Sequence, residues 1–276
     1  MDARAFSFEF FPPKTTEGKE KLRNTWQELA KLKPRFFSCT YGAGGSTREG
    51  TLATVLDIRA AGHEAAPHLS CVASTREDIG VQLERYRSHG IRHVVALRGD
   101  LPSGLGASGE FRYANELVAF IRERTGDWFN IEVACYPEYH PQTRLAHDEL
   151  VAFKRKVDAG ANAAITQYFY NVDAYFHFVT EARKHGIKVP IVPGIMPIVN
   201  FSQLARFSEA CGAEIPRWLR IKLEGYRDDT ASIRAFGLDV VTDLCRRLLA
   251  GGAPGLHFYT LNQATLSAEI WQRLGL

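Results

Sequence analysis

The sequence predicts an α/β fold in which a parallel β-strand and an α-helix alternate eight times. Short apolar runs rich in β-branched and aromatic residues recur along the chain, and longer segments with helical spacing separate them. Such alternation favours a parallel sheet that is covered by helices. Eight units within 276 residues is the size typical of a closed (β/α)8 barrel, the TIM barrel. A doubly wound open sheet remains the alternative, because the pattern alone separates the two poorly.

The predicted strands follow one another along the whole chain. They span residues 6–11, 36–41, 66–71, 93–97, 130–136, 163–167, 190–195 and 256–259. Ser74 followed by Glu77 predicts a capping box at a helix start. The stretch 215–229 is longer than a tight connection and predicts a short additional helix. Glycines stand where helices should end before the next strand, at Gly62, Gly90, Gly160, Gly186 and Gly252.

The composition is typical of a globular protein with a sizeable core. Hydrophobic residues make up 45% of the chain and charged residues 24%. The formal net charge is +3 with the two signs interleaved, which argues against a nucleic-acid partner. No apolar run approaches the roughly 18 residues of a membrane span. The N-terminus lacks a signal-peptide layout, and the five cysteines form no C-x-x-C pair. We therefore expect free thiols, no metal site and a cytoplasmic location.

Glu9 is the first candidate for chemistry. Strand alternation places Phe8 and Phe10 on one face of the first strand and Glu9 on the other. The two aromatics suit the helix-facing side, so Glu9 is expected to point into the barrel. Desolvation there should raise the pKa of the carboxyl, as a general acid near neutral pH requires. A salt-bridged structural glutamate is the alternative.

Two further features follow the fourth predicted strand. Gly99 permits a backbone angle that could aim the Asp100 side chain inward, although a turn aspartate that bonds its own backbone is the alternative. The glycines of 104–109 match the spacing of a dinucleotide fingerprint. They begin several residues past the strand end, whereas the fingerprint needs its turn directly between strand and helix. This segment is therefore interpreted as a loop.

Other candidates lie near predicted strand ends. His68 ends the third strand, but neither it nor His140 has a partner at metal-ligand spacing. Gln167 ends the sixth strand, where an amide can both donate and accept hydrogen bonds toward a heterocycle. Lys222 is the lysine to consider for a Schiff base, with a solvent-facing position as the alternative.

Nine short motifs follow one another over essentially the whole chain. They are Ser7-Phe-Glu-Phe-Phe-Pro-Pro13, Thr40-Tyr-Gly-Ala43, Ala66-Pro-His-Leu69, Ala96-Leu-Arg-Gly-Asp100, Tyr136-Pro137 with His140-Pro141, Lys154-Arg-Lys-Val-Asp-Ala-Gly-Ala161, Ile165-Thr-Gln167, Val192-Pro-Gly-Ile195 and His257-Phe-Tyr-Thr-Leu-Asn262. Taken together and in this order, they resemble the methylenetetrahydrofolate reductase family. The combination is specific, although no single motif is.

The resemblance implies a flavin-containing barrel that reduces 5,10-methylenetetrahydrofolate to 5-methyltetrahydrofolate. Electrons from NADH or NADPH would pass through FAD in a ping-pong cycle, and the resemblance leaves the choice of nicotinamide open. Glu9 matches the family's general acid, which protonates N10 of the folate before the flavin delivers hydride to the one-carbon unit. The cofactor would carry the redox step, while the protein would position and protonate the folate and tune the flavin.

The resemblance also assigns binding residues. Asp100 matches the acidic residue beside the flavin pyrimidine, Gln167 an amide that contacts folate, and Phe201 an aromatic that packs on substrate or nicotinamide. Three positions depart from the family pattern, and one of them is Ala152, which replaces a polar residue seen in some members. Glu149 stands where many members have aspartate, and Gln263 replaces an arginine expected at the folate tail, which puts tail affinity in doubt. The positions that match the FAD cradle are Thr40, Tyr41, Ala43, His68, Arg98, Gly99, Asp100, Tyr113, Ala114, Tyr136, His140, Glu149, Arg155 and Lys156.

The same resemblance sets expectations for organisation. Residues 1–276 are expected to form a single catalytic domain without the regulatory domain of larger members, and barrels are expected to associate as a homo-oligomer. Two other functions stay open at this point. One is an aldolase-like barrel that uses Lys222, and the other is a non-catalytic barrel that binds folate or flavin.

Overall fold

The computed structural model describes residues 4–42, 47–99, 109–143 and 145–276, in which strands and helices alternate. The strands are Ala5–Phe10 (β1), Phe36–Cys39 (β2), Ala65–Ser70 (β3), His93–Leu97 (β4), Asn130–Cys135 (β5), Ala163–Thr166 (β6), Ile191–Val192 (β7), Gly194–Ile195 (β8) and Gly255–Tyr259 (β9). The helices are Thr16–Ala30 (α1), Arg48–Ala60 (α2), Arg76–Ser88 (α3), Ala114–Thr125 (α4), Ala146–Asp158 (α5), Val172–Lys184 (α6), Phe201–Cys211 (α7), Arg217–Gly225 (α8), Thr230–Ala250 (α9) and Thr265–Leu274 (α10).

The strands form a nearly closed parallel barrel. Their order is β7-β6-β5-β4-β3-β2-β1-β9-β8, and every pair is parallel. β7 pairs with β6 through Ile191, and β8 pairs with β9 through Gly194. Pro193 separates these two short strands, so they are the halves of the single seventh strand that the sequence predicted. A proline cannot donate to a ladder, which explains the interruption. The barrel prediction is confirmed and the open sheet is excluded.

Side-chain alternation along the strands builds two apolar layers. Phe8 and Phe10 are almost completely buried between β1 and the surrounding helices. A smaller cluster of Phe36, Val95 and Ile165 fills the barrel interior. Residues at odd positions of β1 therefore face inward, which confirms the predicted orientation of Glu9.

The helices and strands begin and end close to the predicted residues, with one error at a helix cap. The additional helix predicted within 215–229 is α8. The predicted capping box at Ser74 and Glu77 is wrong by one residue, because Thr75 caps α3 and pairs reciprocally with Asp78. The Ser74 hydroxyl instead donates to the carbonyl of Val72, 3.4 Å away. In the described part of the chain, no helix is long and apolar enough to cross a membrane.

Candidate functional site

A cavity of about 510 Å³ opens at the C-terminal ends of the strands, where barrels of this kind carry their sites. Its volume lies within the roughly 300–1,000 Å³ typical of small-molecule sites. The wall combines a few polar side chains with many aromatic ones. The polar members are Glu9, Thr40, His68, Ser70, Gln167 and Thr260, and the aromatic members are Phe10, Phe11, Tyr41, Tyr136, Tyr168, Phe207 and Tyr259.

Among the described residues of this wall, Glu9 supplies the carboxylate, and it faces two imidazoles. His68 Nε2 lies 3.1 Å from Glu9 Oε2, at an angle outside hydrogen-bond geometry. His257 Nε2 lies 3.3 Å from the same oxygen within hydrogen-bond geometry. The Ser38 hydroxyl donates to it over 3.4 Å. The Glu9 side chain is 16% exposed, so the cavity retains access to the carboxylate.

The ionisation of Glu9 differs from the prediction. Burial raises the pKa of the carboxyl, as expected. The neighbouring His68 and His257 together lower it by more than burial raises it, and the resulting pKa is about 2. The predicted raised pKa is therefore wrong. Period-two alternation could place the carboxyl in the barrel, but it carried no information on the imidazoles that β3 and β9 bring beside it.

Several residues predicted for the FAD cradle line the cavity together, namely Thr40, Tyr41, His68, Gly99 and Tyr136. Gly99 has φ +86°, and a Cβ there would stand 1.9 Å from Ser70 Oγ, so bare backbone forms this part of the wall. The Tyr41 ring is buried in the same wall, and the Arg48 guanidinium lies 5.8 Å from its centroid. Bare backbone beside aromatic faces fits a planar ring such as a flavin.

Other predicted cradle residues lie outside the cavity wall. Glu149 is buried, and Oε2 accepts hydrogen bonds from Thr143 Oγ1 at 3.0 Å and from the His140 amide at 3.3 Å. Lys156 Nζ donates to the Ala134 carbonyl at 2.6 Å, and burial lowers its pKa. Arg98 Nη1 donates to Gln142 Oε1 at 2.7 Å. Glu149 and Arg98 thus hold the loop after β5, and Lys156 holds β5 itself.

The remaining described cradle positions lie on or beside two helices. Tyr113 is 57% exposed and occupies the N-cap position of α4 without a side-chain capping hydrogen bond, and Ala114 is the first residue of that helix. Arg155 is exposed on α5. Ala43 and Asp100 lie outside the described residues, so their predicted roles stay predictions.

Gln167 lies in the cavity wall, as predicted, and its Oε1 accepts the Tyr168 amide at 3.0 Å. Phe201 and Gln263 are absent from the wall. Phe201 begins α7 and packs partly buried against the core, while Gln263 is exposed after β9. The α7 aromatic that reaches the cavity is Phe207, which the sequence analysis missed.

The signal for Phe207 was present in the sequence. Arg206 and Glu209 mark a solvent-facing stripe of α7, and Phe207 lies beside it with 38% of its surface exposed. A large aromatic beside such a stripe is unusual for a helix that only packs on a core. Lys222 is exposed on α8 and does not line the cavity, so the structure gives the aldolase alternative no support.

No group of three or more His, Cys, Asp or Glu in the described part of the chain is arranged to hold a metal ion. All five cysteines are free thiols. Cys39, Cys71, Cys135 and Cys245 are buried, whereas Cys211 is partly exposed and lines the cavity. Burial raises the pKa of the Cys71 thiol to about 12, which disfavours the reactive thiolate.

Comparisons with known proteins identify the family of this chain. The family model described as methylenetetrahydrofolate reductase matches residues 1–275. The 5,10-methylenetetrahydrofolate reductases of Salmonella typhimurium and Escherichia coli are each 42% identical over 271 residues, which is 98% of this chain and 90% of theirs. Methylenetetrahydrofolate reductase (NADH) 1 of Arabidopsis thaliana is 41% identical and covers 99% of this chain, which spans 48% of that relative.

A solved structure from Clostridium thermocellum shares the fold. It superposes with a TM-score of 0.69 at 17% identity, over 99% of this chain and 93% of that one. Its description states that it binds two copies of 5-methyl-5,6,7,8-tetrahydrofolic acid. At this identity the likeness supports the barrel alone. The family match and the bacterial relatives carry the assignment, and the chain belongs to the methylenetetrahydrofolate reductase family.

Proposed function

We propose that this protein reduces 5,10-methylenetetrahydrofolate to 5-methyltetrahydrofolate, with FAD as cofactor and NADH or NADPH as electron donor. The observation that carries the proposal is the position of Glu9. Its carboxylate lies in the wall of the 510 Å³ cavity beside two imidazoles, in a chain that matches the reductase family. A carboxyl that faces a ligand-sized cavity can carry to the folate nitrogen the proton that opening of a methylene bridge requires.

FAD would be held by the bare backbone at Gly99 and the side chains of Thr40, Tyr41, His68 and Tyr136. The chemistry that FAD supplies when bound is two-electron transfer between nicotinamide and the one-carbon unit. Tyr136, Tyr168 and Tyr259 give the cavity apolar faces on which planar rings can pack.

The protein's own contribution is to bind, orient and protonate. Gln167 offers an amide that can donate to and accept from the edge of a pterin ring. Glu9 would give its proton to N10 of the folate, so that the nitrogen leaves the one-carbon unit as a neutral amine. Ring packing in the cavity would exclude water from the carbon that receives hydride.

Nicotinamide and folate would use the cavity in turn. Both present a planar ring that must reach the same flavin face, and Glu9 and the proposed flavin-binding residues border one shared space. Alternate occupancy of this space produces a ping-pong cycle. Reduction of the flavin by NADH would be complete before folate enters.

The proposal is tested with the purified protein under anaerobic conditions. A flavin spectrum should be present, NADH or NADPH should bleach it, and 5,10-methylenetetrahydrofolate should then restore it with formation of one equivalent of 5-methyltetrahydrofolate. Flavin that nicotinamide cannot reduce would indicate the binding-only alternative. Reduced flavin that methylenetetrahydrofolate fails to reoxidise would contradict the proposed substrate.

A further inference from the structure

Helix α7 supplies one side of the cavity wall, and few of its side chains are buried against the barrel. Phe207, Ala210 and Cys211 line the cavity, and their spacing of three and four residues places them on one face of the helix. Of the 11 residues of α7, only Leu204 and Ser208 are buried. Because one of these two residues is polar, a polar contact contributes to holding the helix in place.

The buried Ser208 hydroxyl meets a tyrosine that lies just after β6. Tyr168 Oη and Ser208 Oγ are 3.0 Å apart, and either hydroxyl can donate to the other. Both residues are buried, so each hydroxyl would lose free energy if it were left without a partner. The Cys211 thiol lies beside the same Tyr168 hydroxyl, but a thiol is a weak donor and a weak acceptor. We call the contact between the two hydroxyls the Tyr168–Ser208 bond.

Tyr168 is held in a fixed position on the barrel side of this bond. Its ring meets the rings of Tyr170 and Tyr259 edge-on, at 6.0 Å and 6.4 Å between centroids. Its backbone N–H donates to Oε1 of Gln167 at 3.0 Å. The backbone N–H of Gln167 in turn donates to the Cys135 carbonyl of β5 at 2.8 Å. The Tyr168 hydroxyl is therefore a rigid partner for a residue on α7.

The Tyr168–Ser208 bond joins the sequence neighbours of two side chains that line the cavity. Tyr168 follows Gln167, whose amide is proposed to contact the pterin ring, and Ser208 follows Phe207. A shift of α7 away from β6 would therefore increase the separation of Gln167 and Phe207. Planar rings bind well only when the walls on either side contact them closely, since dispersion attraction falls steeply with a gap of 0.5–1 Å.

We infer that Tyr168 and Ser208 are positioning residues whose hydrogen bond fixes α7 relative to the end of β6 and so sets the width of the cavity on the side where substrate enters. This inference rests on the proposed function, because it concerns the planar substrate rings that occupy the cavity. Ser208 does not line the cavity, and the inference assigns it no contact with substrate or cofactor.

The bond is separate from the residues proposed to hold FAD. Those residues lie on or just after β2, β3, β4 and β5, whereas α7 follows β8 and is tied to the residue after Gln167. Loss of the bond should therefore weaken the binding of methylenetetrahydrofolate more than the binding of FAD. A general loss of structure would weaken the binding of both.

The other polar side-chain contacts around α7 lie at its two ends. Asn200 caps the first turn of the helix. Beyond the last turn, the Glu138 carboxylate accepts the backbone N–H of Glu214 at 2.8 Å. Within the part of the chain that the structure describes, the Tyr168–Ser208 bond is therefore the contact that ties the body of the helix to the barrel.

The first experiment measures hydrogen exchange of the backbone amides in the purified holoprotein. Ser208→Ala and Tyr168→Phe break the same bond from its two sides, and each should speed exchange in α7 about two- to tenfold, as the loss of one hydrogen bond predicts. Tyr175→Phe is the matched control, because it removes a buried hydroxyl that donates to the Ile191 carbonyl at 2.8 Å. It should leave exchange in α7 unaltered. Unaltered exchange in α7 in Ser208→Ala and Tyr168→Phe would overturn the inference.

The second experiment separates substrate binding from cofactor binding. Ser208→Ala should raise the KM for methylenetetrahydrofolate about two- to tenfold, by a larger factor than kcat falls, while the Kd for FAD changes less than about twofold. Ser267→Ala is the matched control, a buried serine of α10 whose hydroxyl has no hydrogen-bond partner among the described residues. It should change neither constant. An unchanged KM in Ser208→Ala, or an equal loss of FAD affinity, would overturn the inference.

A double-variant cycle shows whether the two hydroxyls act as one unit. Since either single change leaves the other hydroxyl buried and unpaired, Tyr168→Phe with Ser208→Ala should raise the KM no more than the larger single change does. Single effects that multiply in the double variant would overturn the inference. If Ser208→Ala does not fold, Tyr168→Phe is compared with Tyr175→Phe in the same assays. Failure of the unaltered protein to reduce methylenetetrahydrofolate would reject the proposed function, whereas hydrogen exchange would still decide whether the bond holds α7.

Discussion

Glu9 Oε2 lies 3.1 Å from His68 Nε2, although β2 separates the two strands that carry these residues. The contact forms because side chains on the inner face of a small barrel converge on its axis. Ser38 of β2 lies between them and contributes its hydroxyl to the same carboxylate oxygen. The curvature of the barrel thus places the Glu9 carboxylate beside the His68 imidazole. This neighbour is one reason why the pKa of Glu9 is lower than that of an isolated buried carboxyl.

Gly99→Ala should disturb both stability and cofactor binding. A Cβ at this position would meet Ser70 Oγ at 1.9 Å, and the backbone angle of φ +86° disfavours any L side chain. The backbone strain alone is expected to cost about 1–2 kcal/mol of unfolding free energy. Gly62→Ala is the matched control, because its φ is +88° and its Cβ would meet nothing within 4 Å.

Urea unfolding and flavin content measure the two effects. We expect Gly62→Ala to lose only the strain energy and to keep its flavin, whereas Gly99→Ala loses more stability and binds flavin more weakly. Equal stability and equal flavin content in the two variants would show that the wall at Gly99 has room for a side chain.

Glu138→Gln should stabilise the protein increasingly as the pH rises from 5 to 8. Burial raises the pKa of the Glu138 carboxyl to about 7, although Oε2 accepts the Glu214 amide at 2.8 Å. Between an ordinary glutamate pKa and about 7, the folded chain therefore binds more protons than the unfolded chain. By linkage, stability falls as pH rises through this window and levels off above it.

Thermal unfolding across this pH range checks the prediction. The difference in Tm between Glu138→Gln and the parent should grow with pH, because glutamine cannot ionise. Glu209→Gln, an exposed change on α7, should show a small difference that does not depend on pH. A constant difference for Glu138→Gln would mean that this carboxyl titrates normally.

Gln263→Arg should lower the KM for methylenetetrahydrofolate more than the KM for NADH. Gln263 is exposed, and its backbone N–H donates to the carbonyl of Thr260. Thr260 borders the cavity together with Leu261. A guanidinium beside this rim can pair with the carboxylates of a folate tail, which a neutral amide cannot do as well. Gln272→Arg adds the same charge on the exposed face of α10 and should change neither KM. Parallel changes in the two variants would indicate a general charge effect.

The sequence specified the strand and helix alternation and the inward direction of Glu9 because both depend on local periodicity. Alternation along β1 decided which side chains face the core, whereas closure of the sheet became visible only in the strand order, where β1 pairs with both β2 and β9. The break of the seventh strand was less visible, since Pro193 stands inside an apolar run that otherwise reads as one strand.

Features that depend on distant contacts were not predictable from pattern. His257 and Ser7 lie at opposite ends of the chain, and the register of β1 with β9 brings them together. Phe207 lies on a face of α7 that periodicity assigns to solvent. The structure shows that Phe207 also lines the cavity. The resemblance assigned Phe201 as the aromatic that packs on substrate or nicotinamide. The structure places Phe201 at the start of α7 and outside the cavity wall.

Stopped-flow measurement of both half-reactions in Glu9→Gln tests the central claim most directly, namely that this carboxyl protonates folate. Glu20→Gln, an exposed change on α1, serves as the control. We expect flavin reduction by NADH to stay within about threefold of the parent, and methylenetetrahydrofolate reduction to fall by about 10²–10⁴, the usual contribution of a general acid. Equal slowing of both half-reactions, or a folate half-reaction that survives the change, would contradict the account.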